Sequence, residues 1–430
     1  MKHAIKLWPL LGLYLAITLV LASDTFEFDE SRYVMFAENL AHGFYSPKEE
    51  INLWNGPGYP LLLAPFALAG IPWLFAKMLN ACLLFGAVAL FFQTLKGYLP
   101  EGKALILAVL FGLYPPFWRE LHLLLTETFS YFLMCAFVCL FCALHRATSR
   151  LPLLIVGAAA CMAMLALTRV VFGYVILAAL LLLAGGFVLA REKAPFRRSV
   201  AVFALALLFC APYLLYTQQL TGKWFYWSNA GGLQLYWMAS PTSGELGSWI
   251  WPGDLAKDPR LEAAHGTFFD EISHLPPVVR DQVLQSTALN NLAQYPGAYL
   301  RNWFANVGRM LFSYPFTYTE QKLGTYFYLL PNMFLVVLFI FSLYPGFVAR
   351  RRIPREIWIL LLFGLIAFAS STLVCAYDRM FRPLVPILGL WLSFVGVRLV
   401  TIEIRREAER GNGNTPLAAS GASPTSIVRG

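Results

Sequence analysis

Charge is scarce in this sequence. Only 13% of its 430 residues are Asp, Glu, Lys or Arg, where soluble globular domains carry about a quarter. A chain so poor in charge cannot cover itself with water-binding groups, and no stretch has the composition of a separate soluble enzyme on an anchor. The seven cysteines (Cys82, Cys135, Cys139, Cys142, Cys161, Cys210, Cys375) lie in or beside apolar runs, and none falls in the long polar segments. That placement argues against a disulfide framework and a zinc site. Cys135, Cys139 and Cys142 share helical spacing and read as small packing residues. Heptads and solenoid repeats are missing. The net charge of +9 forms no single patch, so nucleic acid is not an expected partner.

Apolar residues are plentiful, at 58%, with mean hydropathy +0.60. The apolar runs fall at about 7–22, 73–95, 103–118, 126–145, 152–168, 171–190, 200–216, 326–345, 357–375 and 383–400. Their lengths suit the roughly 20 residues a helix needs to cross a bilayer. The expected fold is therefore an all-α integral membrane protein of about ten transmembrane helices. The first run follows Lys2 and Lys6 and ends at Leu21-Ala22-Ser23, a tolerable signal-cleavage region. A retained span fits better, since the polar loop after it belongs outside. Pro57 to Gly70 is apolar but too short to span, and reads as an interfacial or re-entrant helix.

Charge placement orients the chain. With both termini inside, the inner loops hold nineteen bases against six acids, and the two long outer loops nine bases against fifteen acids. The inner bases include Lys2, Lys96, Arg146, Arg191, Arg350 to Arg352, Arg398, Arg405, Arg406, Arg410 and Arg429. This is the positive-inside pattern. The second outer loop, 217–325, carries Trp224, Tyr226, Trp227, Trp237, Trp249 and Trp251 between Pro and Gly residues. A loop of that length needs structure of its own, so two helices, about 277–293 and 296–313, are expected within a small outer subdomain. The tail from Gly411 is Gly/Ser/Pro-rich and reads as disordered.

The first polar segment, Asp24 to Pro60, holds seven acids against two bases. Within it Glu30 to His42 reads as an amphipathic helix, with Asp29 as its cap and Gly43 as its stop. Polar residues of both signs recur on the outer side: Asp29, Glu30 and Arg32, then Glu120, His122 and Glu127, then Arg169, then Asp378, Arg379 and Arg382. Rim and intramembrane charges are costly and usually functional. Guanidinium groups beside a carboxylate suit a phosphate leaving group next to a proton acceptor. Each residue has a plainer rival. Asp29 could only cap its helix, Glu30 could be a solvated first-turn acid, and Glu127 a helix-start acid in the headgroup layer. Arg169, Arg379 and Arg382 could reach phospholipid, and His122 could simply pack. Tryptophans and tyrosines at span ends read mostly as an interfacial belt.

The order of motifs resembles the GT-C glycosyltransferases, integral-membrane enzymes that use polyprenyl-phosphate sugars. It is carried by Asp29-Glu30-x-Arg32-Tyr33, the Ala37-Glu38-Asn39-Leu40-x-x-Gly43 helix, Pro57-x-Tyr59-Pro60, Thr126-Glu127 and Tyr377-Asp378-Arg379-x-Phe381-Arg382-Pro383-x-x-Pro386. The lipid A aminoarabinose and galacturonosyl transferases and the protein O-mannosyltransferases look most alike. Many members have two prolines and a preceding lysine where this chain has Asn55-Gly56-Pro57-Gly58, which leaves the donor sugar open.

The resemblance implies an inverting transfer to a lipid, glycan or protein acceptor on the outer, periplasmic face of a bacterial inner membrane. It implies Asp29, Glu30 and Glu127 as catalytic acids and Arg32, Arg169, Arg379 and Arg382 as holders of the donor phosphate. Tyr33, Tyr59, His122 and Asp378 would position substrate. Asp29 would act directly or through a divalent metal, and the outer-loop aromatics would stack on sugar faces. It divides the chain into a module at 1–216 with its catalytic loop at 23–72, an outer subdomain at 217–325, closing helices at 326–400 and a tail at 401–430. The rivals are a flippase of lipid-linked saccharide, which would need mid-bilayer charges and an internal repeat, and a non-catalytic assembly partner. Lys77 is the one charge well inside a span's register.

The topology is checked by reporter fusions or cysteine labelling at Glu49 and Lys257. Both should report the outer side, and an inside signal at either site overturns the arrangement.

Overall fold

A computed structural model describes residues 4–189, 193–318 and 323–400. The expected disordered tail lies outside the described residues, as do Lys2, Arg191, Arg405, Arg406, Arg410 and Arg429. The helices are α1 (Trp8–Leu21), α2 (Glu30–Ala41), α3 (Gly58–Ala69), α4 (Trp73–Lys96), α5 (Glu101–Gly112), α6 (Thr126–Arg146), α7 (Leu151–Thr168), α8 (Val171–Leu189) and α9 (Ala194–Thr221). Then follow α10 (Gly231–Met238), α11 (Pro259–Leu261), α12 (Thr267–Ser273), α13 (Pro277–Gln294), α14 (Pro296–Phe312), α15 (Tyr326–Val348), α16 (Arg355–Thr372), α17 (Asp378–Phe381) and α18 (Val385–Arg398).

Among the described residues eight helices are long and apolar enough to cross a membrane: α4, α6 to α9, α15, α16, and α17 continued by α18. The chain is a multi-pass, all-helical membrane protein. Two of the ten expected spans are shorter than these eight. The first apolar helix runs only Ile5–Leu21, 17 residues, or about 25 Å at 1.5 Å per residue. The expected span at 103–118 breaks after Gly112, because Pro115 and Pro116 lack the N–H groups that would continue it. The short apolar helix expected over Pro57 to Gly70 is α3, and the outer-loop helices are α13 and α14, within a residue or so of their expected bounds.

The interior is built around α6, which packs on α4, α7 and α9 and on α16 and α18. Phe137 of α6 meets Phe141, Phe203 and Phe363 with ring centroids 5.3 to 6.0 Å apart. At one end of the bundle the basic termini gather. Arg146 lies 4.8 Å over the Tyr98 ring, Arg398 donates to the Tyr98 carbonyl at 2.7 Å, and Arg198 donates to the Leu144 carbonyl at 2.7 Å. The polar loops gather at the other end, where the Ser46 N–H donates to the Tyr216 hydroxyl at 2.9 Å. There a second hydrophobic cluster forms from Tyr236 and Trp237 of α10, Phe269 of α12, and Leu284 and Ala288 of α13.

Non-helical backbone at membrane depth survives only where protein satisfies its polar groups. The stretch between α5 and α6 meets that condition with side chains from four other places. Asn80 of α4 donates to the carbonyls of Leu121 (3.4 Å) and Leu123 (2.7 Å). The Leu124 N–H donates to Glu30 at 2.7 Å. Tyr14 donates to the Gly112 carbonyl at 2.8 Å, and Arg382 to that of Pro116 at 3.1 Å.

Asn80→Leu keeps the side-chain volume and leaves the Leu121 and Leu123 carbonyls unmet. The expected loss is about 1–3 kcal/mol, read as a lower melting temperature of the purified protein in detergent. An unchanged melting temperature would mean that water serves those carbonyls.

Candidate active site

The site begins with a strained turn. Phe28 has φ +52°, in the left-handed region where a β-carbon costs about 1–2 kcal/mol. Glu30 clamps this turn. Its Oε2 accepts the Glu27 N–H at 2.7 Å, and its Oε1 accepts the Leu124 N–H and lies 3.4 Å from Lys77 Nζ. Glu30 is wholly buried. The rival reading as a solvated acid gives way, and the implied catalytic acid is here tied to backbone N–H groups. Lys77, which also donates to the Ser23 carbonyl at 2.8 Å, completes this anchor.

The clamp leaves Asp29 at the rim. Its side chain makes no cap hydrogen bond to α2, so the capping reading gives way. Oδ1 lies 2.6 Å from Arg32 Nη2, and Oδ2 lies 3.5 Å from Arg379 Nη1. The Asp29 side chain is 28% exposed and that of Arg379 is 44% exposed. Arg32 is steadied from behind, with Nε donating to Asn55 Oδ1 at 2.7 Å and its guanidinium 5.6 Å from the Trp54 ring. Asn55 Nδ2 in turn donates to the Tyr33 hydroxyl at 3.0 Å. Burial, and then the charges of Asp29 and Glu127, push that hydroxyl up to about 12, so it remains a neutral hydroxyl.

Residues 53–58 reach this place because two glycines allow it. A Cβ at Gly56 would sit 2.0 Å from the Leu167 carbonyl oxygen, and one at Gly58 would sit 2.4 Å from Thr168 Oγ1. The loop is thereby pressed onto the end of α7, where Arg169 emerges. Arg169 donates to Glu127 Oε1 at 2.9 Å and to Ser130 Oγ at 3.1 Å. Glu127 opens α6, is buried, and acts electrostatically on Tyr33 and Arg379. Tyr59 lies edge-on to Tyr33, with centroids 5.3 Å apart, and is fully buried. The structure thus brings together Asp29, Arg32, Tyr33, Tyr59, Glu127, Arg169 and Arg379.

Three further expected site residues stand elsewhere. Arg382 is 1% exposed and every donor group is engaged: Nη1 with Glu120, the Pro116 carbonyl and Tyr131, and Nε and Nη2 with Asp378. Its guanidinium also lies 5.1 Å from the Tyr328 ring. Arg382 and Asp378 therefore tie the chain before α18 to the irregular segment after α5 and face no open rim. Burial pushes the Glu120 carboxyl up against the pull of Arg382. His122 is half-buried near Glu27, Glu30 and Lys77, and burial lowers its pKa. It belongs to the Glu30 anchor.

Among the outer-loop aromatics, Trp227 and Trp237 are fully buried core residues, so they are not sugar platforms. Trp227 packs on Gly173, where a Cβ would meet its ring at 2.3 Å. Asn55, Trp54 and Ser130 were missed in the sequence. Asn55 carried one signal, its place directly ahead of Gly56-Pro57-Gly58. Among the described residues no group of three or more His, Cys, Asp or Glu side chains gathers to hold a metal. Asp29 already faces two guanidinium groups, a setting that does not fit a divalent cation.

No family model matches the chain, and no curated protein sequence matches it. Solved structures do. The archaeal oligosaccharyltransferase AglB from Archaeoglobus fulgidus, in complex with an inhibitory peptide and a dolichol-phosphate, aligns over 90% of this chain at 16% identity with TM-score 0.49. Alignment to ArnT from Cupriavidus metallidurans bound to undecaprenyl phosphate covers 92% of this chain and 77% of that one, at 13% identity with TM-score 0.41. The chain spans about half the length of the oligosaccharyltransferases it matches. Over most of its length the chain is thus similar to these two structures, at 13 to 16% identity.

The two C-terminal arginines should separate in a single experiment. Arg382→Lys cannot fork between Asp378 and Glu120, and breaking a buried pair costs about 3–5 kcal/mol. Its melting temperature should fall sharply, while Arg379→Lys, on the open rim, should melt as the unaltered protein does. Equal melting of both variants would contradict the assigned roles.

Proposed function

We propose that this protein is a membrane glycosyltransferase that moves a sugar from a polyprenyl-phosphate donor to an acceptor hydroxyl at the outer, periplasmic face of a bacterial inner membrane. The observation that carries the reading is the Asp29 carboxylate held between Arg32 and Arg379 on an open rim, beside helices that face lipid. The donor's tail can stay in the bilayer there while its phosphate meets two guanidinium forks, the geometry arginine supplies best.

The long Asp29–Arg379 contact gives the site its order of events. An arriving phosphate draws Arg379 toward itself, and Asp29 is left with one fewer cation and a stronger pull on a proton. The acceptor O–H then gives its proton to Asp29. The acceptor oxygen attacks the anomeric carbon from the face opposite the phosphate. The bond from that carbon to the phosphate oxygen breaks, and its electron pair leaves with the polyprenyl phosphate. Arg32 and Arg379 stabilise the charge that develops on that oxygen. The configuration at the anomeric carbon inverts. Glu127, oriented by Arg169, and the neutral Tyr33 hydroxyl hold sugar or acceptor hydroxyls.

Within this reading residues 1–216 hold the donor with the loop 23–72, residues 217–325 form the acceptor-side subdomain, and 326–400 supply Arg379. Both termini lie on the inner side.

Incubating the purified protein with a panel of polyprenyl-phosphate sugars tests the activity. Asp29→Asn keeps size and polarity but loses the base. It should bind undecaprenyl phosphate and lose on the order of 10²–10⁴-fold in turnover. Arg379→Ala should weaken undecaprenyl phosphate binding itself. Full turnover in Asp29→Asn would shift the base to Glu127, and no transfer from any donor lipid would overturn the reading.

A further inference from the structure

A separate cavity opens beside the rim cluster. It holds about 490 Å³ and lies between residues 50–54 of the first outer loop and α12 and α13 of the subdomain. Trp54 and Trp251 meet edge-on within it, their centroids 5.8 Å apart. Phe269 and Leu284 extend the apolar wall, and the exposed carboxylates of Glu50, Glu262 and Asp270 stand around it.

The one base in the lining, Arg280, is held at one end. Arg280 Nη2 donates to the carbonyls of Ser273 at 2.9 Å and Leu275 at 3.0 Å. Asp281 is engaged too, accepting the Gly232 N–H at 2.6 Å and the Tyr226 hydroxyl at 3.0 Å. Around this single base the lining carries four carboxylates, so the cavity is net negative and aromatic.

Two lining residues each keep one polar atom without a partner. Among the described residues, buried Asn229 Oδ1 and buried Arg280 Nε have no hydrogen-bond partner. Asn229 is nine-tenths buried, and its Nδ2 is held by the Ile51 carbonyl at 3.2 Å. One orphan accepts and the other donates. A hydroxyl does both, and a sugar ring brings several hydroxyls together with an apolar C–H face for a tryptophan. The cavity is also joined to the rim, because Trp54 carries the Arg32 guanidinium 5.6 Å from its ring.

We infer that this cavity seats the acceptor of the proposed transfer and that the acceptor is a neutral or cationic saccharide. The inference rests on the transferase reading. A phosphorylated or carboxylated acceptor would meet Glu50, Glu262 and Asp270 with Arg280 as the one lining cation against them. Trp54 is a positioning residue, touching the acceptor on one side and steadying Arg32 on the other.

The test uses the full purified protein in detergent with three probes that differ only in charge: a methyl glucoside, a methyl glucosaminide and a methyl glucuronide. Saturation-transfer NMR and calorimetry should show the glucosaminide and the glucoside binding about tenfold or more tighter than the glucuronide, a difference of about 1.4 kcal/mol. Trp251→Leu, at a half-exposed position, should weaken the first two about tenfold and leave undecaprenyl phosphate binding unchanged. Asp270→Lys, on the surface, should raise glucuronide affinity.

Equal affinity for the three probes, or no effect of either substitution, overturns the inference. So does binding of a basic peptide with none of the glycosides, which would make the occupant a peptide. Those failures leave undecaprenyl phosphate binding and its dependence on Arg379 intact. Loss of the lipid-phosphate interaction with retained, Trp251-dependent glycoside binding would instead sink the transferase reading.

Discussion

The site depends on a guanidinium that takes no part in it. Arg382 is buried between Asp378 and Glu120 and also serves the Pro116 carbonyl. Through it the short helix before α18 is fixed to the irregular segment before α6. One turn away, Arg379 is thereby held over Asp29, which belongs to the first polar loop. Three stretches far apart in sequence share one rim because a single side chain satisfies charge and backbone at once. A buried charge network of this kind is only tolerable when every member is paired, and here Tyr131 and the Tyr328 ring complete the shell.

The same division of labour recurs in the first loop. Glu30 and Asp29 are neighbours, yet the buried one ties backbone and the half-exposed one faces two arginines. Lys77, Asn80 and His122 stand on the anchoring side, and Asn55 with Trp54 on the open side. Each open charge is thus backed by a closed one, so the rim can change partners without the backbone following.

Much of the helical layout was legible in the sequence, because apolar runs and amphipathic spacing report local physics. The helix starting at Glu30, its stop at Gly43 and the two long helices of the second long polar loop are such features. The clustering of Asp29, Arg32, Glu127, Arg169 and Arg379 was legible only as a shared side, since alternation of spans sets the side but not the distance. The burial of Arg382 was not legible. Nothing local distinguishes it from Arg379, and the decisive partner, Glu120, is over 250 residues away. The early end of α5 was written in Pro115-Pro116 but masked by the apolar residues around them. Trp227 and Trp237 misled because an aromatic in a polar loop looks the same whether it packs inward or waits for a ligand.

Helix α14 is polar on the inside and apolar on the outside. Asn302, Asn306 and Arg309 are buried, and their side chains serve carbonyls at 238–247 and 372–374, while Leu300 and Phe304 are exposed. The partners at 372–374 are synthesised some sixty residues after α14 itself. As the chain emerges, Asn302 and Arg309 already have their carbonyls behind them, but Asn306 waits for those of Thr372 and Val374. Its greasy face meanwhile has lipid as its natural resting place. The outer segment is therefore a poor candidate for excision as a water-soluble fragment. Its maturation waits on the last membrane helices, which makes completion of the chain, rather than closure of the subdomain, the step that readies the rim.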